Sequence, residues 1–249
     1  MNWLFKNNNK QKVSLSELIV AIEVDGHSHL LPGIDDGAKN LDESIFLVKG
    51  LQDLGFKKII TTPHIYSAHY PNSAETIKPR EKEVQDELKK LQVNIPFNSA
   101  AEYYFEPKLA EKPKESLLFL KNQEILIEFD MQQAPNEMWK EVFFNLQLNG
   151  IGIILAHVER YTYNIGQIKW VEELKNMGVY IQMNLGSLIG NYGFPTEKWA
   201  LQLINNGMID LLCTDLHNAQ QLHTLQSKKD KILSLNNKLD INLFNQLLK

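Results

Sequence analysis

Seven short apolar runs alternate with helical stretches along this chain, and nearly every run delivers a His, Asp, Glu or Asn at its C-terminal end. The runs cover 18–24, 57–62, 94–101, 124–129, 151–156, 179–183 and 208–213 and read as strands. Between the first two, Leu41, Ile45, Val48, Leu51 and Leu54 recur at helical spacing, and Gly55 closes the segment. Helices are expected over 74–91, 138–148, 169–177 and 199–204, with closing helices from about 218 to 249. Residues 107–122 are less regular and suggest a turn of helix and an edge strand around 117–120. Strands alternating with helices predict a mostly parallel sheet, and seven such units without a linker predict one α/β barrel with its chemistry at the C-terminal strand ends.

What those strand ends carry narrows the chemistry. The stretch 25–37 (DGHSHLLPGIDDG) places His27 and His29 two apart after the first run; a Pro32-Gly33 turn then returns Asp35 and Asp36 towards the same opening. His64 follows the second run, Glu102 the third and His157 the fifth; Glu128 ends the fourth, and Asp215 and His217 follow the seventh. Each residue alone has an ordinary reading, as a hydrogen-bonded boundary histidine, a solvent-facing carboxylate or a helix cap. Together they predict metal binding. Nine ligands (His27, His29, Asp36, His64, Glu102, Glu128, His157, Asp215 and His217) exceed what one ion coordinates, so two or three ions sharing carboxylates are expected. Mixed imidazole and carboxylate donors without thiolate suit Mn, Fe or Zn. Three divalent ions against these four carboxylates leave about +2, a field that draws an anion such as a phosphate ester. A bridging hydroxide would be the nucleophile.

Arg160, three residues after His157, can grip phosphate oxygens with a planar pair of donors, or it can be a surface arginine paired with Glu159. Residues 184–187 (NLGS) read equally as polar contacts or as a turn. Cys213 sits among Leu211 and Leu212 and reads as core, and no glycine-rich phosphate loop is present. His69 and His223 read as loop and helix-face histidines, and His69 with Tyr66 and Tyr70 is a candidate lining for a substrate groove.

Composition excludes several classes. A net charge of -4 argues against nucleic acid as the main partner, and a single cysteine rules out an internal disulfide and fits a cytoplasmic protein. No stretch approaches a membrane span; the first six residues (MNWLFK) read as a frayed terminus or a weak membrane contact. Residues 1–17 are expected to precede a domain over 18–249.

The motifs DGHSHLLPGIDDGA, TTPH64, AE102Y, LIE128F, MQQAPNE137, AH157VER160Y, QMN184LGSL and CTD215LH217N resemble those of bacterial PHP-type tyrosine-protein phosphatases of capsule and exopolysaccharide clusters, the CpsB/CapC/YwqE group, over residues 22–226. The resemblance implies a distorted seven-stranded PHP-type (β/α) barrel and a manganese-preferring centre of up to three ions. It places the metal ligands on the nine residues above and the phosphate contact on Arg160. It also implies dephosphorylation of a tyrosine-phosphorylated protein, typically the C-terminal tyrosine cluster of a bacterial tyrosine kinase controlling polysaccharide synthesis. One departure stands out: the group usually has an arginine soon after the last motif, whereas residues 218–223 (NAQQLH) have none. The alternatives are a PHP phosphoesterase acting on a small ester such as histidinol phosphate, and a non-catalytic module that binds the kinase.

Overall fold

The computed structural model describes residues 10–249, so the first six residues lie outside the described part. Its first strand and helix correct the expectation for 18–24. Strand β1 is Lys10–Ser14, and Leu15–Ile22 is helix α1, not a strand. Ser14 and Glu17 form a reciprocal capping box, and Leu15, Leu18, Ile19 and Ile22 bury one face, a helical spacing inside an apolar run. Glu23, with φ of 61°, turns the chain into a two-residue strand, β2 (Val24–Asp25).

Helix α2 (Leu41–Leu54) ends at left-handed Gly55, and β3 (Lys58–Thr61) continues past Thr62-Pro63 into β4 (His64–Ile65). Proline has no N–H for a ladder, which interrupts the pairing immediately before His64. Helix α3 (Ala74–Lys90) leads to β5 (Phe97–Ser99) and β6 (Glu102–Tyr104), again split by two residues. Residues 117–120, expected as an edge strand, belong to no strand; the Leu118 N–H donates to the Tyr103 hydroxyl at 2.7 Å, so a side chain takes the place of a neighbouring strand. Then come β7 (Glu124–Glu128), α4 (Met138–Leu148), β8 (Gly152–Leu155), α5 (Ile168–Asn176), β9 (Tyr180–Asn184), the short α6 (Leu185–Leu188), α7 (Phe194–Asn205), β10 (Leu211–Cys213) and α8 (Ala219–Ser227). The tail departs from the helices expected there: Ile232–Asn236 is a strand, β11, antiparallel to β1, with Leu233 and Leu235 buried in period two.

The chain is a single α/β domain. Parallel pairing runs β2-β3-β5 in one sheet and β4-β6-β7-β8-β9-β10 in another. A parallel bridge between Ser28 and Leu216 brings the chain beyond β10 back beside the chain beyond β2. The core has two parts. A large cluster packs helices against the outer faces of the strands. A smaller one takes Val24, Ile60, Leu126, Ile154 and Leu211 from five strands and Ala100 from the break between β5 and β6, with Leu120 and Leu248 added. Strand β9 contributes to the outer cluster through Ile181 and Met183, while its alternate residues Gln182 and Asn184 are buried and polar. That alternation turns the polar side chains of β9 towards the interior above the inner apolar cluster.

Candidate metal and phosphate site

The nine predicted ligands converge. Four groups of donors each have their atoms within 4.8 Å of one another: His29, Asp36, His64 and His217; His27, His29 and Asp215; His27, Glu102 and His157; and His64, Glu102 and Glu128. Shared members make them one cluster. His157 and Asp215 occupy it in left-handed backbone conformations, with φ of 31° and 52°, a region that Asp and His tolerate better than most residues.

The buried hydrogen bonds say which atoms face inward. His27 Nδ1 lies 3.0 Å from Gln182 Oε1, and His29 Nδ1 lies 2.9 Å from Asp35 Oδ2. Both partners are acceptors, so each Nδ1 carries the proton and each Nε2 presents a lone pair. Those two Nε2 atoms are only 3.4 Å apart. Glu102 Oε2 lies 3.2 Å from each of three imidazole nitrogens, His27 Nε2, His29 Nε2 and His64 Nδ1, yet has no hydrogen-bond partner. His157 Nδ1 is likewise buried and unpartnered. So many acceptors pointed at one another are stable only around positive charge, supplied by protons or by metal ions. The donor set fits borderline divalent metals.

The electrostatics agree. Burial disfavours a charged His27, but Glu102 and Asp215 outweigh it and raise its pKa to about 9. His29 is raised well above the usual range, burial being overcome by Asp35 and Glu102. Glu102 and Asp215 are held low against burial, Glu102 mainly by His27 and His64, and Asp215 by His27 and His217. His217 goes the other way, lowered by burial and by His29; the remaining shifts are those expected of ligands that take up protons when metal is absent.

Two residues outside the predicted set orient the ligands. Asp35 is fully buried at its side chain; it holds His29 and accepts from the backbone N–H groups of Gly37 and His64. Gln182 Oε1 also accepts from the His157 N–H, and its amide donates to Asn184 Oδ1. Asp36, by contrast, is half exposed at the rim, 3.5 Å from His64 and 3.6 Å from His217. Gln182 had one signal in the sequence, a polar residue at alternate positions in an apolar run. Asp35 is indistinguishable from Asp36 until the turn is built.

Above the cluster opens a cavity of about 390 Å³ lined by seven of the nine ligands together with Met131, Arg160, Asn218 and Gln221. Arg160 pairs with Asp215 Oδ2 at 2.8 Å rather than with Glu159. Glu159 is fully buried and accepts from the Asn184 N–H and the Ser187 hydroxyl. The 184–187 stretch is therefore both a short helix and a source of polar contacts, since Asn184 Nδ2 also donates to Asp215 Oδ2 at 2.7 Å. Cys213 lies in the inner apolar cluster. His69 is exposed and stacks on Tyr66 at 4.7 Å; neither it nor His223 lines the cavity.

A family model described as "Capsular polysaccharide synthesis, CpsB/CapC" matches residues 23–240. The chain belongs to the CpsB/CapC family. Its relatives include CapC of Staphylococcus aureus, 30% identical over 78% of this chain and 77% of that protein. The tyrosine-protein phosphatase YwqE of Bacillus subtilis is 29% identical over 82% of each. A crystal structure from work on YwqE of Bacillus subtilis and CpsB of Streptococcus pneumoniae, described as "unique metal-dependent tyrosine phosphatases", superposes with a TM-score of 0.74 at 26% identity, covering 82% of this chain and 87% of that one. This CpsB/CapC chain thus shares both sequence and overall fold with enzymes of that description. Among the described residues, no helix is long and apolar enough to cross a membrane.

Proposed function

We propose that this protein is a metal-dependent phosphatase that hydrolyses phosphotyrosine on a protein of the capsule or exopolysaccharide machinery. The observation that carries the reading is the Glu102 carboxylate oxygen, ringed by three imidazole nitrogens without a hydrogen bond, beneath a cavity lined by Arg160. His27, His29, Asp36, His64, Glu102, Glu128, His157, Asp215 and His217 would hold two or three ions, with manganese the preferred metal and iron or zinc the alternatives. When bound, the ions supply an activated water near neutral pH and positive charge against the phosphate.

The chain's own groups do the rest. Asp35 and Gln182 fix the imidazole tautomers, so that Nε2 of His29 and His27 stays available as a donor to metal. Arg160 uses Nη1 on Asp215, and its other N–H groups meet the phosphate oxygens, whose charge they offset as it shifts towards the leaving oxygen. Asn218 and Gln221 line the cavity with neutral polar groups, in the stretch where the resemblance implies an arginine. The seven-stranded order, closed through Ser28 and Leu216, is read as the distorted PHP-type barrel of one catalytic domain; the boundary expected at 18 falls inside α1, and β1 pairs with β11, so residues 10–17 are taken into that domain. The proposed substrate is the C-terminal tyrosine cluster of a cognate bacterial tyrosine kinase, and the proposed site of action is the cytoplasm.

Release of phosphate from a phosphotyrosyl peptide, measured on metal-stripped and manganese-loaded protein, tests the reading. Arg160→Ala is expected to lower kcat/KM by a factor of 100 or more, roughly 3 kcal/mol, with metal content unchanged. Equal turnover by the variant would remove Arg160 from the reaction; no manganese-dependent release at all would overturn the activity.

A further inference from the structure

Arg160 has one hydrogen bond from its side chain among the described residues, Nη1 to Asp215 Oδ2. A single contact at one corner leaves a guanidinium free to swing about it. What limits that motion is a ring: the Arg160 guanidinium carbon lies 4.3 Å from the centroid of Tyr192. Tyr192 comes from the turn between α6 and α7, flanked by Gly190 and Gly193 at φ of 81° and 88°. The turn is itself held. Lys228 donates to the Ile189 carbonyl at 2.9 Å, and Asn184 Nδ2 lies 3.4 Å from the Tyr192 hydroxyl. Gly186 packs so closely that a Cβ there would sit 3.4 Å from Tyr192 Cε2 and 3.0 Å from Asn191 Nδ2. The same Asn184 amide donates to the Asp215 oxygen that Arg160 uses, so ring, arginine and metal-site carboxylate form one connected assembly.

We propose that Tyr192 is a positioning residue for phosphate binding: its ring fixes the plane of Arg160 so that the N–H groups not used by Asp215 are presented to the cavity. Stacking on a guanidinium face leaves its in-plane donors free, which is what a bidentate grip on phosphate requires. The inference rests on the phosphate-binding reading of the cavity, and its test is separable from that of the activity.

The experiment is calorimetric titration of inorganic phosphate into manganese-loaded protein, with metal content checked for every variant. Tyr192→Leu is expected to weaken phosphate binding about tenfold at unchanged metal content, and Tyr192→Phe, which keeps the ring, to recover most of that loss. In an Arg160→Ala background, Tyr192→Leu is expected to have no further effect, because the ring acts only through the arginine. Tyr192→Met, close in volume but without an aromatic face, gives the same readout where the leucine variant loses its fold. Binding within twofold of wild type in the leucine and methionine variants overturns the proposal. So does an equal tenfold loss in the Arg160→Ala background, a phenylalanine variant as weak as leucine, or a wild-type protein that binds no phosphate. Turnover of a phosphotyrosyl peptide by the wild-type protein is read separately, and its absence overturns the phosphatase reading.

Discussion

Asp35 and Asp36 are neighbours of one type with different surroundings. Asp36 stands half exposed at the cavity rim, whereas the Asp35 side chain is buried against His29 and two backbone N–H groups. Burial pushes Asp35 towards neutrality, but His29 and these contacts win and hold its pKa at about 2, so it remains an anion bound to the imidazole. Asp35→Asn, which weakens the hold on the His29 tautomer, is expected to lower metal affinity by a factor of roughly 10 to 100. Chelator competition against a metal-sensitive dye would measure it, and an unchanged affinity would reduce Asp35 to a turn residue. The nine residues that converge were legible because their spacing after apolar runs is a one-dimensional pattern. Asp35, Gln182 and Tyr192 were not, because what each does depends on a partner 6 to 155 positions away or on a turn whose shape the residues do not announce.

At the level of elements, the alternation of strand and helix was readable wherever apolar periodicity was distinct. It misled at 18–24, where a helix with a largely buried face looks like a strand when only hydrophobicity is counted. It also misled in the tail, where β11 exists only because β1 lies beside it, a pairing of residues more than 200 positions apart. The joint between β2 and β10 is of this long-range kind. Fully buried Asn245, at φ of 58°, donates through Nδ2 to the Val24 and Leu212 carbonyls, each at 2.8 Å, and accepts from the Leu212 N–H at 2.8 Å. Asn245→Ala leaves these backbone groups unpaired and is expected to cost about 3 kcal/mol, read as a lowered midpoint in urea at unchanged slope. A loss below about 1 kcal/mol would mean that water or a shifted backbone takes over the contacts.

For the whole molecule, the candidate cluster of histidines and carboxylates sets the expected pH response. In metal-stripped protein, His27, raised from 6.5 to about 9, contributes stability that is complete below pH 6.5 and lost as pH rises through 9. Glu102, held far below its ordinary 4.5, contributes stability that is present above that value and lost as pH falls towards its folded-state pKa. Stripped protein is therefore expected to be most stable between about pH 4.5 and 6.5, with the His27 share on the order of 3 kcal/mol. Metal-loaded protein should show the opposite trend over pH 5 to 8, because protons compete with the ions for the same nitrogens. Thermal melts across pH with and without chelator would decide it; parallel profiles would mean that the nitrogens do not bind metal.

The inner apolar cluster includes Leu248, which touches the start of the chain so closely that a Cβ on Gly26 would lie 2.2 Å from its Cδ1. The nine residues of the candidate cluster, at positions 27 to 217, thus all precede in the chain a side chain that packs beneath them. Domains generally fold as units. Here the inner cluster is completed by a side chain more than 200 positions after Gly26. The interior beneath the candidate cluster is accordingly closed only when two segments from opposite ends of the described chain have come together.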